Sequence, residues 1–146
     1  MYNVLEQAEA VFRGMTIDVP AGQKLYAVMP GDKVRVKAQL QYRGAVWNDN
    51  FYAAIGSHVV VFDELWVGSI PVSFAQSTDW ATYELTVDIL ITKVANFPWT
   101  PGWFDLYAKL TKAGKLTPRL DNIIEVLLAP EFQNFTIVSY DRIPGA

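Results

Sequence analysis

Histidine occurs once, at His58, and that single imidazole bounds the acid–base chemistry open to this chain. A serine nucleophile would need it, with Ser57 or a more distant serine attacking and Asp63 or Asp79 orienting the ring. No serine lies in a nucleophile-elbow pattern, so His58 reads as a loop histidine in ordinary solvent contact. Paired carboxylates could hydrolyse a glycosidic bond. Asp63-Glu64 is the adjacent pair, but neighbouring strand residues point to opposite faces, so the two cannot flank one substrate. Glu84, Asp88 and Asp105 fall on the polar parity of alternating runs and read as surface charge. Asn48-Asp49-Asn50 offers three oxygen donors in a row, which matches no cation-loop spacing and suits a turn. Cysteine is absent, which removes thiolate nucleophiles, disulfides and Cys-based zinc sites. The reading is a non-enzyme with no catalytic residue, no metal and no cofactor.

Aromatic side chains carry the best binding signal. Trp47, Trp99 and Trp103 sit in or beside expected loops, whereas Trp66 and Trp80 sit in expected strands. Exposed aromatics on a β scaffold stack on sugar faces or anchor a protein interface. The competing role is to cap the open ends of a core. Lys109, Lys112, Lys115 and Arg119 form the basic cluster, interspersed with leucines, and read as a solvated hairpin.

These residues hang on a series of strands. Between Pro30 and Gly44, Val34, Val36, Ala38, Leu40 and Tyr42 share one parity; Lys33, Arg35, Lys37, Gln39, Gln41 and Arg43 share the other. That period of two marks a strand with one face in a core and one in water. Pro30-Gly31 opens it as a turn and Gly44 closes it. Trp80 to Ile91 repeats the pattern, with Ala81, Tyr83, Leu85, Val87, Ile89 and Ile91 inward. Trp103 to Leu110 is a third such run, with Phe104, Leu106, Ala108 and Leu110 inward and Asp105, Tyr107 and Lys109 outward. Shorter strands are expected at Val11–Val19, Leu25–Met29, Phe51–Ile55, Val59–Val67, Pro71–Phe74 and Ile123–Leu128, with a last strand from Phe132 to Tyr140. Loops are expected at Ala45–Asn50, Gly56–His58, around Gly68 and Pro71, at Gln76–Asp79, at Asn96–Gly102 and at Lys112–Asp121, and Arg142–Ala146 as a frayed end or linker. Residues 1–12 read as a short helix or docking arm, with Leu5 and Phe12 among its apolar positions.

The 146 residues suit a single domain, 1–146, with room for a real core. A 51% hydrophobic composition excludes a disordered chain. A net charge of −3 provides no basic field for a phosphate backbone, so nucleic acid is a poor partner. No run approaches the roughly eighteen apolar residues that cross a bilayer. Met1 to Arg13 holds Glu6 and Glu9 and no basic segment ahead of an apolar block, so it does not read as a signal peptide. Residence in a virion, or in the cytoplasm before assembly, fits better than classical secretion. Asn134-Phe135-Thr136 matches a glycosylation sequon that matters only in a secretory setting.

The run Pro30-Gly31-Asp32-Lys33-Val34-Arg35-Val36, ending in Tyr42-Arg43-Gly44, resembles the second-strand motif of bacterial and archaeal immunoglobulin-like adhesion modules of the CARDB type. Pro101-Gly102-Trp103-Phe104-Asp105-Leu106-Tyr107 is similar to a later strand of those modules. Asp79-Trp80-Ala81-Thr82-Tyr83 is also similar to a strand opening in jelly-roll carbohydrate-binding modules. The resemblance covers about half the chain and implies a fold and an accessory role. It carries over no catalytic residue.

Seven to nine strands with turns every eight to twelve residues predict an all-β, antiparallel, immunoglobulin-like β-sandwich with Greek-key connections, a closed barrel being the alternative. The expected function is a non-enzymatic structural or adhesion module that assembles with protein partners or with itself, as a virion or surface-assembly component. The assembly residues would be Leu5, Phe12, Phe135, Val138 and Tyr140. The alternative is a carbohydrate-binding module using Trp47, Trp99 and Trp103.

Overall fold

The computed structural model describes residues 18–58, 62–92, 102–127 and 132–145. Among these residues the fold is all-β. Eight strands follow one another: β1 (Leu25–Val28), β2 (Lys33–Gly44), β3 (Trp47–His58), β4 (Phe62–Phe74), β5 (Ser77–Leu90), β6 (Trp103–Leu110), β7 (Lys115–Leu116) and β8 (Leu120–Val126). They make two sheets. The larger runs β1-β8-β6-β3-β4 with β7 also on β6, and the smaller is β2-β5 alone. The expected helix or arm at 1–12 and most of the expected strand Val11–Val19 lie outside the described residues, as does Trp99.

Strands β2 to β5 form a single long hairpin folded across the middle. Lys33 faces Leu90, Gly44 faces Ser77, Trp47 faces Phe74 and His58 faces Phe62. Both arms therefore cross from the small sheet to the large one at the same place, over Ala45-Val46 and Ala75-Gln76. Pro30-Gly31 makes the turn into β2. Asp32 N donates to Met29 O at 3.0 Å, and Gly31 has φ of 98°, the positive value that position i+2 of a type II turn demands.

One apolar core joins the sheets. Val34, Leu85, Val87 and Ile89 come from the small sheet; Phe51, Ala53, Ile55, Trp66, Phe74, Phe104, Ala108, Ile124 and Val126 come from the large one. Trp66 packs edge-on to Phe104 with ring centres 5.2 Å apart, and its indole N–H donates to Thr92 O at 3.0 Å. The inward parities expected for β2 and β5 hold, and Val36, Leu40 and Leu106 pack on the core as partly buried residues.

Several expectations are corrected. The fold is not wholly antiparallel, because β1 runs parallel to β8. Trp47 to Asn50 is strand rather than loop, since the polar side chains there find partners: Ser73 Oγ donates to Asn48 Oδ1 at 2.7 Å, and Asp49 is used as described below. Gly56-Ser57-His58 continues β3, and Ser77–Asp79 already belongs to β5. Gly68 and Pro71 lie inside β4 rather than at a turn. A Cβ on Gly68 would sit 2.3 Å from Asp88 O, so the glycine serves the close approach of β5. Pro71 is tolerated because β4 ends the ladder of its sheet and needs no N–H on that side. The Lys112–Asp121 stretch contains β7 and the first residues of β8. Phe132 to Tyr140 forms no strand; a strand needs a neighbour, and this segment has none among the described residues.

Candidate assembly surface

The 132–145 segment is strand-like in composition and exposed along its whole length. Phe132, Phe135, Ile137, Val138, Tyr140 and Ile143 each leave between 83% and 95% of their surface in solvent. Scattered surface hydrophobics are ordinary, but six in one segment are not. From Phe132 to Tyr140 the segment carries no charge and no proline. Of the expected assembly residues, Phe135, Val138 and Tyr140 are thus brought together here, while Leu5 and Phe12 lie outside the described residues.

A second exposed feature is the outer edge of β2. Among the described residues β2 pairs only with β5. Across that ladder Val36 faces Val87 and Ala38 faces Leu85. The β5 partner is buried in each case and the β2 partner only half-buried, so the small sheet ends before its core layer is fully covered. Leu40 and Tyr42 continue the half-buried row. The other face of β2 carries Lys33, Arg35, Lys37 and Arg43, all exposed. Arg35 Nε is 2.8 Å from Asp88 Oδ1; that contact raises the guanidinium and lowers the carboxyl from their ordinary values.

Of the three tryptophans expected to bind, Trp47 and Trp103 are among the described residues and Trp99 is not. Trp47 is half-buried in β3, donates its indole N–H to Asp49 Oδ2 at 2.9 Å, and has Lys112 Nζ 4.3 Å from its ring centre. Trp103 meets Tyr26 edge-on at 5.3 Å with Lys24 Nζ over its ring. Trp80 lies in β5 as expected and is 58% exposed, with the Arg43 guanidinium 4.5 Å from its ring centre. Beside it lies a shallow open depression of about 410 Å³ lined by Arg43, Gly44, Gln76, Ser77 and Thr78.

Three polar groupings escaped the sequence reading. Asp49 is buried and accepts from the amides of Asn50 (2.7 Å), Lys112 (2.8 Å) and Ala113 (2.9 Å) as well as from Trp47. Burial pushes its carboxyl up, but the Trp47 indole and the amides of Lys112, Asn50 and Ala113 outweigh that and hold it at about 2. It fastens the β6–β7 turn to β3. Asp105, expected on the surface, is only 2% exposed. It sits where the β6–β8 register shifts and accepts from Asn122 N at 2.8 Å. On the outer face of the large sheet, the hydroxyls of Tyr52 and Tyr107 both donate to the Glu64 carboxylate. Burial, then the hydrogen bond and charge of Glu64, push Tyr52 up to about 12 and push Tyr107 up likewise.

The donors to Asp49 and Glu64 also tie separate strands and turns together. The Ser57 hydroxyl is buried with no hydrogen-bond partner among the described residues. Among the described residues no three His, Cys, Asp or Glu side chains converge on a common point, and no helix is long and apolar enough to cross a membrane. No protein-family model, curated protein or solved structure matches this chain.

Proposed function

We propose that this protein is a non-enzymatic structural module that assembles with protein partners, further copies of itself foremost. The observation that carries this reading is the 132–145 segment, whose six apolar side chains stand in solvent outside both sheets. An uncharged run of aromatic and β-branched residues gains most by covering that surface against another protein. An immunoglobulin-like sandwich with Greek-key connections belongs to the same proposal. Its support is the two sheets on one core and the folded β2–β5 hairpin. A virion or surface-assembly setting suits a module of this kind.

Sedimentation velocity on the full chain from micromolar to near-millimolar concentration tests the proposal. Concentration-dependent species larger than a monomer are expected, and Phe135→Asp with Ile137→Asp should shift them to monomer. A chain that stays monomeric throughout rejects self-assembly.

A second reading, sugar binding, rests on one observation: Trp80 and Arg43 beside the open depression at the corner of the hairpin. A glycan-array signal lost on Trp80→Ala would favour it.

A further inference from the structure

Resting on the assembly reading, we infer that the 132–145 segment of one copy adds as a strand to the free edge of β2 in the next copy. Three features of the molecule meet at this edge. The first is geometric. β2 is twelve residues long, pairs on one side only among the described residues, and offers the backbone groups of its other edge to an incoming strand. Phe132 to Tyr140 and Val34 to Tyr42 each span nine residues, so one can run the length of the other.

The second feature is the unfinished core. Val36, Ala38, Leu40 and Tyr42 are half-buried while Leu85 and Val87 beside them are buried, so the apolar layer stops short at β2. A strand laid along this edge with Phe135 and Ile137 inward would complete the layer. Thr136, Val138 and Tyr140 then share the outer face with Gln39 and Gln41.

The third feature is charge. Lys33, Arg35, Lys37 and Arg43 line one face of β2. Two β2 edges brought together would set these rows side by side, which like-charge repulsion disfavours. The Phe132–Tyr140 run holds no charge and meets no such barrier. The contact is therefore heterologous: each copy gives one segment and receives one, which builds a ring or a filament.

The test uses full-length chains carrying one cysteine each, which is clean because the chain has none of its own. Gln39→Cys chains are mixed with Thr136→Cys chains and treated with a short bismaleimide, whose reach tolerates a slip of register. Lys115→Cys on β7 replaces Gln39→Cys as the control. The Gln39–Thr136 product should exceed the Lys115–Thr136 product about tenfold or more, and Ile137→Pro, which removes a ladder donor, should abolish the difference. Equal yields at both positions, in a chain that still sediments as an oligomer, overturn the β2 docking and leave assembly standing. Linkage confined to one chain in the diluted double variant also overturns it, since the segment would then close on its own β2. A chain that stays monomeric and gives no linkage overturns both this inference and the assembly reading.

Discussion

At the scale of single residues, Asp49 has the strongest local role. Its carboxylate takes amide donors from Lys112 and Ala113, more than sixty residues away in the chain (|i−j| of 63 and 64). Asp49→Ala leaves those buried donors without an acceptor and should cost about 2–3 kcal/mol in chemical denaturation. The pH dependence follows from the direction of the shift. Its folded value, about 2, lies below the ordinary 3.8, so its contribution is complete above roughly pH 4 and is lost as pH falls toward 2. Wild type should thus lose stability over that window, and Asp49→Asn should lose less. Tyr52 behaves in the opposite sense. With its folded value raised to about 12, its contribution is complete below pH 10 and is lost as pH rises through 12. Absorbance titration should show delayed tyrosinate formation, and Glu64→Gln should bring Tyr52 and Tyr107 back toward the ordinary range. Neither cluster was legible in the sequence. A carboxylate's burial is decided by which N–H groups reach it, and those of Asp49 come from a turn that period-two patterning cannot pair with β3.

At the scale of elements, β2, β5 and β6 were legible because alternation over eight or more residues allows few other structures. Their register against partners was not, nor was the continuity of β3 and β4 through Gly56, Gly68 and Pro71. Glycine and proline mark turns in most chains, but Gly68 is required by the nearness of the Asp88 carbonyl. Gly68→Ala should cost about 1–3 kcal/mol, because backbone rather than a flexible side chain must move aside. Gly145→Ala, with nothing within 4 Å, is the neutral comparison. Core truncations grade with burial. Leu85→Ala should cost roughly 2–5 kcal/mol and Leu106→Ala distinctly less, since the first is buried and the second only partly so. A urea series in which the order reverses would place β6 differently from the packing described. The misread 132–140 segment has every local mark of a strand, and no local mark can supply a neighbour.

At the scale of the whole molecule, the proposed assembly is held by apolar surface and backbone hydrogen bonds rather than by ion pairs. Its response to salt should follow. Sodium chloride from 0.05 to about 0.5 M screens charge over a shrinking Debye length and should leave the oligomer intact. Ammonium sulfate should strengthen it, and so should approach to the isoelectric point near pH 5.0, where self-repulsion vanishes. Sedimentation across these conditions checks the trend, and dissolution by sodium chloride would point to an ionic contact. The small sheet, two strands against the larger sheet's six, makes this sensitivity a property of the whole fold.

The parallel pairing of β1 with β8 has a mechanical consequence. In a parallel pair the chain enters one strand and leaves the other at opposite ends of their shared ladder. Tension applied before Leu25 and beyond Val126 therefore runs along the strands. The Leu127 N to Val28 O bond, at 2.7 Å, and its neighbours are then loaded together in shear, where an antiparallel hairpin pulled from its open end would unzip one bond at a time. Stretched between two fixed points, the molecule should resist until this short clamp gives way in a single rupture. Glu125→Ala, which removes the carboxylate that accepts from the Ala27 amide, should lower that force.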